Sequence, residues 1–310
     1  MIRVAPTDGV AREVARLRGA AASRGGACAS ACAEACLATP EPAVEPLGPG
    51  GAAGGADTCA VIVAGGSGER FGDPRGKQFV DLCGLPLVSW SIMAFDRVAS
   101  VGHLVVVYPP GRLDDMLDVL SPLTLRCDVT LAQAGATRQD SVFSALLAMP
   151  PGFPLVAVHD GARPLVRPET VEAVVGALRS DPELAGAIAA VRATDTLKLV
   201  EDGLIVGTPD RAYYWNAQTP QAFRTRKLLA AHRASVWDDY VGTDDASLIE
   251  RRGGKVRCVE GSRANLKVTV PEDLVVARAL LARRIDEEGC GLTEGPQEGD
   301  GPAGALGGRI

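Results

Sequence analysis

The sequence lacks the features of membrane proteins and of nucleic-acid-binding proteins. No apolar run approaches the ~18 residues that a membrane-spanning helix requires, since the longest are short stretches such as CAVIVAG and LVVVY. A basic excess is missing too, because 38 acidic residues outnumber 32 lysines and arginines and give a net charge of −6. Proteins that bind the phosphate backbone usually carry a basic stripe. We therefore expect a soluble protein that has neither nucleic acid nor a membrane as its partner.

Closely paired cysteines are also absent. Eight cysteines occur without any C-x-x-C pair, and a reduced, cytoplasmic compartment is the simplest location for them. Cys28, Cys32 and Cys36 form a cluster in an Ala/Ser/Gly-rich tract that contains no histidine. Incidental thiols are therefore a better interpretation of this cluster than a metal site, and we leave it unassigned.

Both ends of the chain lack the periodic patterns of packed elements. Residues 1–56 are rich in Ala, Gly, Pro and Arg and close on GPGGAAGGA. This composition predicts a flexible extension, although its scarcity of acidic residues leaves a targeting peptide as an alternative. Residues 286–310 have a similar composition and are predicted to form a flexible tail. One α/β domain is expected between them, over residues 57–285.

Short apolar runs alternate with helix-period segments between these two ends. The strand-like runs are CAVIVA, HLVVVY, CDVTLA, PLVAVH and AIAAV. Apolar residues recur at helical spacing over residues 88–95, 142–149 and 171–178. The alternation predicts an α/β fold with a mostly parallel, twisted sheet and crossover helices. Ligands of such sheets bind beyond the carboxyl ends of the strands, so functional residues are expected at that edge.

A glycine-rich loop follows the first of these strands, with the sequence AGGSGERFGDPRGKQF over residues 64–79. Gly65, Gly66 and Gly68 allow the backbone to approach a ligand closely and to point N–H groups at phosphate oxygens. Arg70 and Lys77 supply positive charge for those phosphates. The loop is therefore predicted to bind phosphate, and an ordinary surface turn is the alternative.

The loop does not match two widespread nucleotide-binding motifs. Its Gly72 to Gly76 spacing is one residue too short for a Walker loop, and Gln78 stands where such a loop has the Ser or Thr that holds magnesium. It does not match GxGxxG either. The loop alone therefore does not identify the nucleotide.

A second polar segment, VHDGARP over residues 158–164, follows a run that is predicted to be a buried strand. It places Asp160 and Arg163 just past the strand, where a carboxylate and a guanidinium can hold a metal ion and a phosphate. A salt bridge between the two side chains is the alternative. His159 is interpreted as a hydrogen-bonded strand-end histidine without a catalytic role, because its surroundings suggest no Ser/His/Asp or Cys/His set.

A strand followed by A-G-G-x-G-x-R and then K-Q-F resembles the signature of sugar-phosphate nucleotidyltransferases. Five stretches narrow the resemblance to the 2-C-methyl-D-erythritol 4-phosphate cytidylyltransferase family: GATRQDSV (135–142), VHDGARP (158–164), DRAYYWNAQTPQAF (210–223), TDDASLIE (243–250) and ANLKVTVPEDL (264–274). The similarity runs from residue 57 to residue 285. It implies a Rossmann-like nucleotidyltransferase fold.

This resemblance implies transfer of CMP from CTP to the phosphate of a sugar alcohol, with release of pyrophosphate and with Mg²⁺ as cofactor. Arg70 and Lys77 are then expected to stabilise the transition state, and Arg211 and Lys267 to position the acceptor. Asp160 is expected to help hold magnesium. The residues expected to contact the substrates are Ala64, Gly65, Gly66, Gly68, Gly135, Ser141, Asp160, Arg163, Thr196, Thr219 and Thr243.

A projecting β-hairpin arm is predicted over residues 194–218, because the turn EDG separates DTLK from DRAYYW. The resemblance implies that this arm exchanges between the two subunits of a homodimer. Thr196 and Arg211 would then reach the acceptor in the neighbouring subunit's site. A hairpin that is merely solvated is the alternative.

Two departures from the family pattern lie in the glycine-rich loop. Gly76 precedes the loop lysine where the family usually has proline, and Ala64-Gly65-Gly66 stands where it often has Ala-Ala-Gly. The second variant also occurs in ribitol-phosphate cytidylyltransferases. Ribitol 5-phosphate is therefore the alternative acceptor, and a non-catalytic nucleotide-binding protein is the second alternative.

Overall fold

A computed structural model describes residues 1–22, 56–66 and 71–288 of the chain. Its strands are β1 Ile2–Val4, β2 Thr58–Val63, β3 Asp81–Leu82, β4 Leu85–Pro86, β5 Val101–Tyr108, β6 Asp128–Gln133, β7 Leu155–Asp160, β8 Leu184–Arg192, β9 Leu199–Glu201, β10 Leu204–Gly207, β11 Trp215–Arg224 and β12 Lys255–Glu260. Its α-helices are α1 Gly9–Ala22, α2 Leu87–Asp96, α3 Leu113–Leu120, α4 Arg138–Ala148, α5 Pro168–Ser180, α6 Thr225–Trp237, α7 Asp245–Arg251 and α8 Pro271–Glu288. None of these helices is long and apolar enough to cross a membrane.

The central sheet has eight strands in the order β1-β6-β5-β2-β7-β11-β8-β12. Within it, β11 runs antiparallel to both of its neighbours, and every other pairing is parallel. The predicted mostly parallel sheet is therefore confirmed. β2 lies between β5 and β7. The chain first adds β5 on one side of β2 and later adds β7 on its other side, so the strand order reverses direction at β2. Open α/β sheets bind ligands at such a point, beyond the carboxyl ends of the strands.

Hydrophobic side chains of the strands face helices on both sides of the sheet. Along β2, Ile62 faces one layer and Val61 faces the other. Helices α2, α3 and α5 cover the Ile62 face, whereas α4, α6 and α7 cover the Val61 face. Val175 of α5 and Val142 of α4 are fully buried, which confirms the predicted apolar faces of these helices. The two layers hold the sheet rigid, so that its carboxyl edge is a fixed platform.

The first 22 residues contradict the prediction that residues 1–56 form a flexible extension. β1 joins the sheet beside β6, and the Ala5 N–H donates to the Leu131 carbonyl at 2.8 Å. α1 packs on α4 and α6, where Leu17 is completely buried. Glu13 of this helix pairs with Arg233 of α6 at 3.0 Å. The amino-terminal segment is therefore part of the packed domain.

The physical reason lies in the spacing of a few apolar residues. Val10, Val14 and Leu17 recur at intervals of four and three, which is the pattern of an apolar helix face. Because Ala, Gly and Arg dominate the segment, these few apolar residues do not stand out in its sequence. At the other end, α8 runs three residues into the predicted tail, to Glu288. The rest of both predicted segments, including Cys28, Cys32 and Cys36, lies outside the described residues.

We expect Leu17→Ala to lower the free energy of unfolding by about 2 kcal/mol, because it removes a buried side chain between α1 and its partners. Urea denaturation followed by circular dichroism measures this change. The matched control is Arg12→Ala at an exposed position of the same helix, which should change stability by less than about 0.5 kcal/mol. Equal denaturation midpoints for Leu17→Ala and the unmodified chain would contradict the docking of α1.

The predicted hairpin is present within residues 194–218. β9 and β10 pair antiparallel around a turn in which Asp202 and Gly203 have φ values of 47° and 81°. Large apolar side chains on this arm are open to solvent: Leu204 is 72% exposed, Ile205 63% and Tyr213 85%. Contiguous exposed apolar surface of this kind is typical of an interaction site.

Candidate active site

Asp160 lies at the centre of the candidate site, as the last residue of β7. Its Oδ1 accepts a hydrogen bond from Arg138 Nε at 3.2 Å, and its Oδ2 accepts one from Lys267 Nζ at 2.7 Å. Burial by itself would raise the pKa of this carboxyl, but the charges of Arg138 and Lys267 outweigh it and hold the pKa well below its usual range. Asp160 is therefore an anion throughout the physiological pH range.

Arg138 links Asp160 to a second buried carboxylate, Asp245. Arg138 Nη1 lies 2.8 Å from Asp245 Oδ2, and Asp245 Oδ1 lies 3.2 Å from His232 Nε2. Burial would raise the pKa of Asp245, yet Arg138 and the hydrogen bond to His232 lower it. A single guanidinium thus compensates two buried acids, which ties the end of β7 to the start of α4 and of α7.

The two candidate lysines reach the same part of the site. Lys77 begins the short 3-10 helix Lys77–Phe79 and donates from Nζ to the Val268 carbonyl at 2.7 Å. Lys267 is the preceding residue on that segment and pairs with Asp160. Arg163 Nη1 donates to the Asn265 carbonyl at 2.8 Å. Lys77 and Arg163 thus both contact the segment that carries Lys267, and Lys267 itself contacts Asp160.

The segment that carries Lys267 is not part of the sheet. Residues 264–269 pair with none of the described strands, and the Val268 N–H instead donates to the Ala162 carbonyl at 2.8 Å. The adjacent Asn265 donates from Nδ2 to the Thr219 carbonyl at 2.9 Å. These bonds hold the segment against the loop after β7, through Ala162, and against β11, through Thr219.

His159 and Thr219 form a buried hydrogen-bond chain behind Asp160. His159 Nε2 lies 3.2 Å from the Arg163 carbonyl, which can only accept, so Nε2 carries the proton. Nδ1 then accepts from the Thr219 hydroxyl at 3.0 Å, and that oxygen accepts from the Asp160 N–H at 3.0 Å. Burial lowers the pKa of His159 to about 4, so the ring is neutral. The interpretation of His159 as a satisfied strand-end histidine is confirmed, whereas substrate contact by Thr219 stays a prediction.

Two predicted glycines permit close packing of the loops at this edge. A Cβ on Gly65 would lie 2.2 Å from the Ala134 Cβ, and a Cβ on Gly135 would lie 2.4 Å from the Asp140 Cβ. Neither contact is sterically allowed, so both positions require glycine. Ala64 is buried beside them, and Gly66 accepts a bond from Gln78 Nε2 at 3.3 Å. The structure therefore explains the glycines by close packing of the two loops, and nucleotide contact by their backbone stays a prediction.

The amino end of α4 is capped by its own side chains. Thr137 and Asp140 form a capping box, and the Ser141 hydroxyl donates to the Thr137 carbonyl at 2.8 Å. Gln139 binds across to the loop before α7: its Nε2 donates to the Tyr240 carbonyl at 3.1 Å, and its Oε1 accepts from the Gly242 N–H at 2.9 Å. The exposed Thr243 follows that anchored loop. Nucleotide contact by Ser141 and acceptor contact by Thr243 stay predictions.

Two of the remaining predicted residues lie on the arm, and the other two are not among the described residues. Thr196 and Arg211 are exposed on the arm, where Arg211 Nη1 donates to the Thr194 carbonyl at 2.5 Å. Gly68 and Arg70 lie outside the described residues. The four therefore stay predictions.

Sequence analysis missed Arg138 and Asp245. Arg138 opens a helix, where a basic residue is ordinarily solvated, and Asp245 follows an acidic residue in TDDAS. Asp244 is the residue that caps α7, whereas Asp245 is buried. An adjacent acidic pair of which only one member can cap the helix is a signal that could have drawn attention to Asp245, although it does not show that this carboxylate is buried.

The chemistry of these residues fits a magnesium ion that is carried largely by a substrate. Among the described residues, no group of three or more His, Cys, Asp or Glu side chains could cage a metal. Magnesium is commonly held by one or two carboxylates together with substrate phosphates and water. An ionised Asp160 at the strand end is a carboxylate of the kind that could serve as one such ligand.

The comparisons with known proteins identify relatives over the same part of the chain. The family model described as 2-C-methyl-D-erythritol 4-phosphate cytidylyltransferase matches residues 58–283. Proteins of that name from Synechococcus sp. and Syntrophotalea carbinolica are 41% and 43% identical, over 72% and 71% of this chain and 96% and 94% of their own lengths.

Solved structures agree with these sequence matches. The 4-diphosphocytidyl-2C-methyl-D-erythritol synthase of Anaerococcus prevotii superposes with a TM-score of 0.66 at 29% identity, covering 73% of this chain and 96% of that one. The 2-C-methyl-D-erythritol 4-phosphate cytidylyltransferase of Thermus thermophilus gives a TM-score of 0.59 at 30% identity, over 72% and 98%. β1 and α1 precede the residues that the family model matches.

Proposed function

The chain belongs to the 2-C-methyl-D-erythritol 4-phosphate cytidylyltransferase family, and we propose that it transfers CMP from CTP to 2-C-methyl-D-erythritol 4-phosphate in isoprenoid biosynthesis. The products are 4-diphosphocytidyl-2-C-methyl-D-erythritol and pyrophosphate. The single observation that carries this proposal is the contact of Lys267 with ionised Asp160, on a segment that Lys77 and Arg163 also contact, at the sheet edge where such folds bind nucleotides.

The chemistry needs charge and alignment rather than a base. An oxygen of the acceptor's phosphate attacks the α-phosphorus of CTP, a new P–O bond forms, and the bond to the leaving pyrophosphate breaks in line with it. A phosphate monoester is already anionic near neutral pH, so positioning and electrostatic stabilisation are sufficient. Lys77 and Arg70 are assigned to the α-phosphate, and Lys267 and Arg211 to the acceptor.

Magnesium is assigned to the triphosphate, with Asp160 as the protein ligand. When bound, the ion neutralises phosphate charge and orients the leaving group. Asp160 is held in place for this role by Arg138, and its N–H is fixed by Thr219. The contact of Lys267 with Asp160 supports an arrangement in which the proposed acceptor-binding residue neighbours the proposed metal ligand.

A two-acceptor assay tests the proposed reaction. Pyrophosphate release from CTP should be at least about tenfold more efficient, as kcat/KM, with methylerythritol phosphate than with ribitol 5-phosphate, since the pocket discriminates through bound hydroxyl groups. Excess chelator should abolish turnover. Preference for ribitol 5-phosphate would contradict the acceptor, full activity in chelator would contradict the metal, and CTP binding without turnover would favour a non-catalytic protein.

The arm supports a homodimer with shared sites. Its exposed side chains Leu204, Ile205 and Tyr213 need an apolar partner, and Arg211 makes its contact to Thr194 within the arm itself. A second copy of the chain covers this surface in a symmetric exchange and brings Arg211 to the partner's acceptor pocket. The free cysteines Cys59 and Cys127 agree with a reduced cytoplasm as the location.

Mixing two inactive variants tests the exchanged arm. Lys77→Ala and Arg211→Ala should each cripple the homodimer, whereas a heterodimer of the two has one intact site. Random pairing at equal amounts should make about a quarter of all sites intact, and activity should return to a comparable fraction. Heterodimers that form by mass spectrometry without regaining activity would exclude the exchange. A nearly silent Arg211→Ala would show instead that the arm is only solvated.

A further inference from the structure

Arg112 joins two loops that follow neighbouring strands. It lies directly before α3, after the end of β5, and β5 pairs with β2 in the sheet. Its Nη2 donates to the Pro74 carbonyl of the glycine-rich loop at 2.9 Å, and its Nη1 lies 3.3 Å from Asp115. A guanidinium has several donors in a fixed plane, so one side chain can hold both partners at once.

The part of the loop that Arg112 contacts is a tight turn before Lys77. The Gly76 N–H donates to the Asp73 carbonyl at 3.1 Å, and the Arg75 N–H donates to Asp73 Oδ1 at 2.8 Å. Gly76 has a φ of 105°, which side-chain-bearing residues rarely adopt. The turn therefore has a glycine in a conformation that other residues rarely adopt, directly before Lys77. Both of these hydrogen bonds join residues of the turn itself.

Anchors outside the turn must fix its position relative to the sheet. On the carboxyl side, Lys77 bonds to the Val268 carbonyl and Phe79 is buried. On the turn itself, Arg112 donates a charge-assisted hydrogen bond to the carbonyl of Pro74. Pro74 has no backbone N–H, so its carbonyl is the only backbone group through which it can be anchored by a hydrogen bond. With both anchors, the backbone before Lys77 is held at two points.

We propose that Arg112 is a positioning residue for the glycine-rich loop: it holds the Pro74 carbonyl so that Lys77 is already placed when CTP arrives. The inference rests on the proposed role of this loop in CTP binding. Arg112 acts through the loop and is not assigned a contact with the nucleotide. Loss of Arg112 leaves Lys77 and its charge in place but increases the conformational freedom that CTP must remove.

Amide hydrogen exchange without nucleotide, combined with steady-state kinetics, tests this role. In Arg112→Ala the amide of Gly76 should exchange about 5- to 10-fold faster, because opening of the turn is no longer resisted by the bond to Pro74. The KM for CTP should rise about 3- to 10-fold, while kcat and the KM for the acceptor stay within about twofold. Arg112→Lys keeps one donor and should lie between Arg112→Ala and the unmodified chain.

Asp115→Asn is the matched control. It removes the negative charge that pairs with Arg112 and leaves the hydrogen bond from Arg112 to the Pro74 carbonyl. It should change neither the exchange rate nor the KM for CTP. Unchanged Gly76 exchange in an Arg112→Ala protein with a normal thermal midpoint would overturn the proposal. A raised KM with unchanged exchange would also overturn it, since it would indicate a direct contact with CTP. The exchange measurement needs no turnover, so it remains decisive if the proposed reaction fails.

Discussion

Lys77→Ala is expected to lower kcat by ~10²–10³ while the protein stays folded, by analogy with the loss of one preorganised donor at a developing charge. In the structure, Nζ of this lysine is directed to the Val268 carbonyl, next to the Lys267–Asp160 pair. Under the proposed mechanism, its charge is held where phosphate charge builds up during attack. Steady-state kinetics with both substrates at saturation measure the loss.

A lysine at the opposite edge of the sheet provides the control. Lys255 begins β12, and its Nζ lies 3.6 Å from Glu183 with both side chains exposed. Lys255→Ala should leave kcat within about twofold, because surface pairs of this kind contribute little. Activity of Lys77→Ala within a few-fold of the unmodified chain would show that the lysine is not catalytic.

Arg138→Met should be the most destabilising single substitution near the site. It removes the cation that lies between Asp160 and Asp245, both of which are buried. Breaking a buried ion pair in this way typically costs about 3–5 kcal/mol, because an unpaired charge is left in the interior. Arg138→Lys should retain part of the stability, since one ammonium cannot bond both carboxylates as a planar guanidinium does. Denaturant unfolding at neutral pH gives the difference.

The pH dependence separates this charge effect from simple loss of packing. The pKa values of Asp160 and Asp245 are lowered in the folded chain, so the stability they contribute is present above the unfolded pKa and is lost as pH falls. The gap between Arg138→Met and the unmodified chain should therefore shrink below about pH 4. Arg257→Met, which breaks an exposed pair with Asp181, should cost less than about 1 kcal/mol at neutral pH. A gap that is constant with pH would contradict the role of Arg138 as counter-charge.

Local sequence patterns were sufficient for the five sheet strands β2, β5, β6, β7 and β8, for the helices α2, α4 and α5, and for one half of the site. Asp160 and Arg163 could be located because they directly follow a continuous apolar strand, and strand ends of a parallel sheet meet at one edge. The other half depends on distant pairings. Arg138 and Asp245 are separated by 107 positions, and neither one's local sequence shows that its charge is buried.

The amino-terminal segment shows a different limit. Composition gives only the average character of a segment, whereas docking of a helix depends on a few side chains such as Leu17. β1 has three residues and is fixed by its pairing to β6 rather than by its own preference for a strand. A strand this short carries too little pattern to be predicted before its neighbour in the sheet is known.

The pairing of β1 also determines what a second molecule would encounter at this side of the sheet. Without β1, the six-residue β6 would be the edge strand of the sheet, and its unpaired backbone groups could pair with strands of other chains. With β1 in place, the edge strand is three residues long and is followed closely by Pro6, which cannot donate a backbone hydrogen bond. Short edge strands and proline at the edge are among the features by which natural sheets resist edge-to-edge aggregation. The added segment therefore favours colloidal stability as well as folding.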